Sequence, residues 1–296
     1  MSLIHARRAA ATLPVTSLGQ GSRRNHAAIR LWKVPDVQTT AATYRLISSN
    51  LARSLGNTAK QPQVARETEY YLANIGKVKS VTDFMSNERL YRYVMKAFSL
   101  DDMTYAKAFV RKALTEGIDD RTSFANRLTD PRFRELVATF NFARYGADTT
   151  ASDLTRQAVV DRHLHQMLEE NAGKQDEGVR LALYFQRKAS GIQSAFNILG
   201  NKALLKVVQT VLRLPVSMSQ QDIDRQAKLI TDRLDLDDFA NPDKLNKFLN
   251  RFTAMWELEN PTSAPTTPSI QIGQPASIGI GQSLLTVLQN LRPGGR

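Results

Sequence analysis

Apolar positions from about Thr40 to Glu259 recur at three- and four-residue steps, the period of a helix with one buried face. Tyr44, Ile47, Leu51 and Leu55 form the first such stripe, and Gly56 is expected to stop it. Pro62 suits a first helical position, and Val64, Thr68, Tyr71, Leu72 and Ile75 then run to Gly76. Ser80 and Asp83 have the spacing of a capping box, with Asp in place of Glu or Gln. Leu90, Tyr91, Val94 and Phe98 make the next stripe. Tyr105, Phe109, Val110, Ala113 and Leu114 make another, closed by Gly117. Asp130-Pro131 is a cap followed by proline, leading into Phe133, Leu136, Val137 and Phe140.

Residues 149–172 are more polar and carry only a narrow stripe: Leu154, Val160, Leu164 and Leu168. This pattern predicts a long helix bridging two halves. Gly173 to Glu177 reads as a turn. Leu181, Phe185, Ile192, Phe196 and Leu199 continue the period, with a bend expected near Gly191. Leu204, Leu205, Val207, Val208, Val211 and Leu212 form a strongly apolar segment stopped by Pro215. Ser219 is expected to open a helix carrying Ile223, Ala227, Ile230 and Leu234. Asn241-Pro242 opens the last one, with Leu245, Phe248, Leu249, Phe252, Met255 and Trp256. Alternation at period two is confined to Ile270-Gln-Ile272 and Ile278-Gly-Ile280, too short and Gly/Pro-flanked to build a sheet. The fold class predicted is all-α and multihelical.

Leu90–Phe98 parallels Leu204–Leu212, and Asp130-Pro131 parallels Asn241-Pro242, each followed by an aromatic-rich amphipathic helix. The parallel predicts two related helical modules, against chance recurrence of common caps. The expected organisation is a disordered leader over 1–39, a helical module over 40–150, and a bridging helix with a second module over 151–259. A flexible linker over 260–281 and a short amphipathic helix over 282–291 follow.

That linker holds Pro261, Pro265, Pro268 and Pro275 among Thr, Ser and Gly. In the segment after it, Leu284, Leu288 and Leu291 share one face with Leu285 beside them. Ten residues of helix are marginal alone, so this segment is expected to dock. Its own domain is one acceptor. A partner protein or a sister chain is the other, in which case Leu284, Leu285, Leu288 and Leu291 are the partner-binding residues.

Charge changes this picture less than its total suggests. Lys and Arg number 40 against 28 Asp and Glu, a net +12 over 296 residues. Residues 1–36 carry six bases and one acid, and only Arg292 and Arg296 are charged after Glu259. The remaining 37–259 has 32 bases and 27 acids, the mixed surface of an ordinary globular body. The Arg-rich, acid-poor leader resembles a transit peptide in composition, without the apolar core of a secretory signal. Cysteine is absent, which excludes disulfides, thiol nucleophiles and zinc–thiolate sites and fits a reducing compartment. No apolar run approaches the length of a membrane span.

Candidate chemistry is sparse. His163 and His165 lie two apart on a helix and point to different sides, so they cannot chelate one metal together. Asp161 with His165, or His165 with Glu169, shares a face but supplies too few ligands. These are expected to be polar surface residues. Gly19-Gln-Gly21 and Gly279-Ile-Gly281 follow no strand and cradle no phosphate. Asp101-Asp102, Asp119-Asp120 and the group Asp235, Asp237 and Asp238 fall at helix boundaries, where capping is the expected role. No catalytic, cofactor or metal site is predicted, and the chain is expected not to be an enzyme. Arg89, Arg92, Lys96, Lys107, Arg111 and Lys112 form a locally basic stretch. It supports an alternative reading as a nucleic-acid-binding regulator. Of Tyr70, Tyr71, Tyr91, Tyr93 and Tyr105, which interleave with it, most fall on the apolar stripes and are expected in the core.

Five segments carry a family resemblance: Tyr44 to Ser48, Val64 to Val78, Tyr105 to Lys112, Ser123 to Leu128, and Arg251 to Trp256. Together they resemble a bacterial family known as domain of unknown function 1217, over about 40–259. The string from Glu67 to Val78 is the most specific part. The resemblance implies a helical fold. It also implies a link to the flagellum, because members tend to be encoded among flagellar genes of alphaproteobacteria. It brings no catalytic residues. The expected function is a flagellum-linked, non-enzymatic interaction protein: a scaffold, assembly factor or basal-body accessory. Its partner is expected to be a protein, with self-association as an alternative, and its location cytoplasmic, flagellum-associated or exported. The family pattern begins shortly before Tyr44, so the leader is expected to be a misannotated extension, with Val34 and Val37 as alternative starts.

Overall fold

The computed structural model describes residues 39–261. The leader, the linker and the segment holding Leu284, Leu285, Leu288 and Leu291 lie outside the described residues. So do the two short alternating stretches near Ile270 and Ile278.

Among the described residues every regular element is helical. The chain begins with α1 (Thr40–Ser49), α2 (Leu51–Ala59), α3 (Pro62–Ile75), α4 (Val81–Ser86) and α5 (Glu88–Ala97). After a 3-10 turn at Asp101–Met103 come α6 (Lys107–Glu116), α7 (Phe124–Arg127), α8 (Pro131–Thr139) and α9 (Phe142–Tyr145). A second 3-10 turn leads into α10 (Asp153–Gly173), the longest helix. Then follow α11 (Glu177–Lys188), α12 (Ala195–Leu199), α13 (Lys202–Leu212), α14 (Ile223–Thr231) and α15 (Pro242–Glu259).

Most starts follow the chemistry read from the sequence. Pro62, Pro131 and Pro242 each occupy a first turn. The Asp130 carboxylate accepts from the Arg132 N–H at 2.9 Å, and Asn241 accepts from Asp243 and Lys244. Gly117 closes α6 at φ 71°, and an added Cβ would lie 2.8 Å from that of Ala143. The Ser80 hydroxyl accepts from Asp83 N–H at 3.1 Å, but the reciprocal bond is displaced: Asp83 accepts from Lys79 N–H at 3.0 Å. Aspartate is one methylene shorter than the glutamate this motif prefers.

Three boundaries differ from expectation. Gly56 lies inside α2, and the break comes earlier, at Asn50. Before it, the Ser48 and Ser49 hydroxyls donate back to the carbonyls of Arg45 and Leu46, the local bonding by which serine competes with a continuing helix. Near the other end, α14 starts after Asp222, which caps Asp224 N–H at 2.9 Å; Ser219 sits in the preceding 3-10 turn. Tyr105 precedes α6 and is 78% exposed, so it is no core residue, whereas Tyr71, Tyr91 and Tyr93 are buried.

The buried side chains form two hydrophobic clusters. One draws on α3 to α9 and receives Val159 and Val160 from the first half of α10. Its centre is aromatic: Phe84 meets Tyr91 edge-on at 5.9 Å and Phe140 at 5.6 Å. The other draws on α11 to α15 and receives Leu168 and Ala172 from the second half of α10. Tyr44 of α1 also belongs to this second cluster, with Ile47, Leu51 and Leu55 packed against it. The Thr40 hydroxyl ties α1 there by donating to Asp176 at 2.6 Å, while the same carboxylate caps α11 through Gly178 N–H at 2.7 Å.

Helix α11 is the axis of the second cluster. Val179, Leu181, Ala182, Leu183, Tyr184 and Phe185 are all buried, so it is apolar on nearly every side, as an enclosed helix must be. Gly178 admits the Trp256 indole: a Cβ there would stand 2.2 Å from Cδ1 and 2.5 Å from Nε1. Gly178→Ala is therefore expected to destabilise by about 1–3 kcal/mol, the usual range for overpacking. In urea melts it should be less than additive with Trp256→Leu, which removes the ring. Additive losses would show that the two residues do not collide.

Candidate functional site

Between the two clusters the packing becomes polar. Glu169 of α10, with a side chain only 4% exposed, receives Arg187 of α11 through Nε at 2.6 Å and Nη2 at 2.8 Å. Arg187 also lies over the Tyr184 ring at 5.2 Å. Burial opposes the Arg187 charge, and the paired Glu169 carboxylate more than offsets it, holding the guanidinium above its ordinary value. Glu135 of α8 accepts from Arg162 of α10 at 2.8 Å and Lys188 of α11 at 2.6 Å. Burial would raise the Glu135 carboxyl, but these two cations hold it below the usual carboxylate value. Lys96 of α5 pairs with Glu170 of α10 at 2.8 Å.

A cleft of about 520 Å³ opens beside this network. One wall comes from the α5–α6 turn and the start of α8, the other from α11 and the start of α13, and Gln166 of α10 contributes between them. Ser99 on the first wall has φ 58°, the left-handed position of an α5 C-terminal turn in which Leu100 N–H reaches Met95 O at 2.8 Å. It is pinned on two sides. Its hydroxyl donates to Gln166 at 2.6 Å, and its carbonyl accepts from Arg132.

The basic stretch resolves largely into ion pairs. Arg89 bonds Glu67, Arg92 and Lys107 both bond Glu88, and Lys112 lies 3.9 Å from Glu116. With Lys96 on Glu170, five of its six bases face carboxylates. An array so neutralised presents few free charges to a phosphate ladder. The clustered aspartates mostly cap or pair: Asp120 accepts from Thr122 N–H at 2.8 Å, Asp235 from Asp237 N–H at 3.0 Å, and Asp119 pairs with Arg144.

His163 departs from expectation. It is 4% exposed, its ring stacks on Tyr93 at 3.9 Å, and Tyr93 stacks in turn on Tyr71 at 4.6 Å. Its Nδ1 is buried without a partner. Glu169, also expected at the surface, is buried against Arg187 instead of facing His165. His165 does stay at the surface, with Nδ1 2.8 Å from the Asp161 carbonyl. The narrow apolar stripe of α10 hid both burials, because stacking and ion pairing use residues that a hydrophobic pattern counts as polar. Among the described residues, no cluster of three or more acidic or histidine side chains is placed to hold a metal. Nor is any helix there long and apolar enough to cross a membrane.

A family model described as "Protein of unknown function (DUF1217)" matches residues 97–245, half of the chain. The chain belongs to the DUF1217 family. The matched region contains the whole of α10 and both walls of the cleft. Among solved structures, the chain is similar to an X-ray crystal structure of a protein from Agrobacterium tumefaciens, with 48% identity and a TM-score of 0.71. The likeness covers 75% of this chain and 94% of that one. A comparison with curated proteins finds no match.

Proposed function

We propose that this DUF1217 protein is a non-enzymatic helical interaction protein linked to the bacterial flagellum. The observation carrying the interaction reading is the pair α12 and α14, which pack on each other while each leaves a large apolar side chain in solvent. Phe196 is 50% exposed and Ile223 55% exposed. Ile223 shares a face with Ala227 and Ile230, which are buried, so it extends a core stripe beyond the core's edge. A partner helix laid along that edge would continue the stripe. The segment carrying Leu284, Leu285, Leu288 and Leu291 supplies a second, tethered contact in this reading. The flagellar part rests on the gene neighbourhood of the family. The paired state of the basic helices favours a protein partner over nucleic acid.

The test is motility. A strain lacking the gene should swim poorly and recover with the wild-type gene. It should recover only partly with Phe196→Glu/Ile223→Glu or with a chain ending at residue 259. Both altered proteins should keep the wild-type circular dichroism. Normal swimming of the deletion strain would remove the flagellar link. Full recovery by both altered genes would remove these surfaces as the contact.

A further inference from the structure

The cleft beside the ion network carries opposite charge on its two walls. On one side stand Asp101 and Asp102. Among the described residues, no cation lies within ion-pair distance of the Asp101 carboxylate, and Asp102 shares Arg132 at 3.3 Å with the closer Asp130. Partial desolvation at the cleft wall and the nearby Glu170 push the Asp101 carboxyl above its ordinary value, against the Lys96 charge that lowers it.

Across the cleft, Lys202 has no carboxylate partner among the described residues and sits at the first position of α13, whose eleven residues point their positive end the same way. Tyr184 adds a fixed group. It is 7% exposed and its oxygen accepts from the Asn201 side chain at 2.7 Å. Its own proton has no acceptor among the described residues. A phenol nine-tenths buried with an unused donor at a cleft wall is a group waiting for an acceptor. The volume is within the range of small-molecule sites.

We propose that this cleft binds a free α-amino acid as its zwitterion. The ammonium group lies toward Asp101 and Asp102, and the carboxylate lies toward Lys202 and the Tyr184 hydroxyl. An anion alone would leave the aspartates uncompensated, and a cation alone would leave Lys202 and the Tyr184 proton unused; a molecule carrying both charges satisfies both walls.

The experiment uses the full chain. Each of the twenty free L-amino acids, at about 10 mM, is screened for a rise in melting temperature, and hits are titrated by calorimetry. At least one is expected to bind with millimolar or better affinity. Lys202→Gln and Asp101→Asn should each weaken it by about tenfold or more, the loss expected for one charge-assisted contact. Both positions are exposed, so the variants should keep the wild-type melting temperature. Sodium acetate and methylammonium chloride, each carrying one of the charges, should bind far more weakly to the unaltered protein. This arm does not depend on any variant folding. The proposal fails if no amino acid raises the melting temperature. It also fails if either single-charge probe binds as tightly as the amino acid, or if both variants keep full affinity.

Discussion

Glu169→Ala is expected to cost about 3–5 kcal/mol, among the largest losses available to a single surface-preserving change in this protein. The carboxylate is 4% exposed and its guanidinium partner 15% exposed, so neither charge is offered to water. The two parallel bonds, at 2.6 and 2.8 Å, use both carboxylate oxygens against Nε and Nη2. Alanine leaves Arg187 buried with its charge uncompensated. The Tyr184 ring at 5.2 Å is a weak substitute for a carboxylate. In a body of this size the melting temperature should fall by about 10 °C. The comparison that matters is with the double change Glu169→Leu/Arg187→Met. It removes both charges and should recover most of the loss, since an apolar pair of similar volume avoids the desolvation cost. A loss below about 1 kcal/mol for Glu169→Ala would mean that water reaches the pair and that it behaves as a surface ion pair.

This ion network also marks where sequence reading stops. Helix existence was legible almost throughout, because it rests on local signals. Apolar residues three and four apart make a face, and a cap with proline makes a start. Asp130-Pro131 and Asn241-Pro242 needed nothing beyond four residues of context. The exceptions are local too. Gly56 is tolerated inside α2 because a lone glycine costs a helix only about 1 kcal/mol, less than the packing of Leu51 and Leu55 returns. What could not be read is which faces meet. Nothing near Tyr44 announces that α1 packs with α11 and α15 rather than with α3. The contacts that hold it there join distant parts of the chain, as Thr40 and Asp176 do across 136 positions.

The seam was hidden for a related reason. Glu135 meets Lys188 across 53 positions and Ser99 meets Gln166 across 67. A pattern that scores these residues as polar assigns them to solvent. The two carboxylates Asp101 and Asp102 were visible as a pair, and capping was the economical reading. Their position facing Lys202 and Tyr184 is a property of the fold. The residues of α10 gave one usable hint. A 21-residue helix with so narrow an apolar stripe must satisfy its remaining faces with something other than apolar packing.

His163 gives that hint its largest pH consequence. Burial, aided by the Lys96 charge, pushes the imidazole from its ordinary value near 6.5 down to about 4, with Glu170 and Glu67 opposing weakly. The folded protein therefore holds His163 neutral where the unfolded chain would protonate it. Above about pH 6.5 both states are neutral and the group adds no pH dependence. Between about 6.5 and 4 the unfolded chain binds the extra proton, so stability falls as pH falls, and the loss is complete once the folded pKa is passed. The full span corresponds to about 3 kcal/mol. His163→Phe keeps the ring stacked on Tyr93 and removes both the titration and the unpartnered buried Nδ1. Urea melts at pH 7 and pH 4 should show the wild-type protein losing about 3 kcal/mol more than the variant over that interval. Titrating carboxylates such as Glu135 act in both proteins and cancel in the difference. Parallel pH slopes for the two proteins would mean that His163 protonates freely in the folded state, and so that the α3–α5–α10 packing opens to water around it.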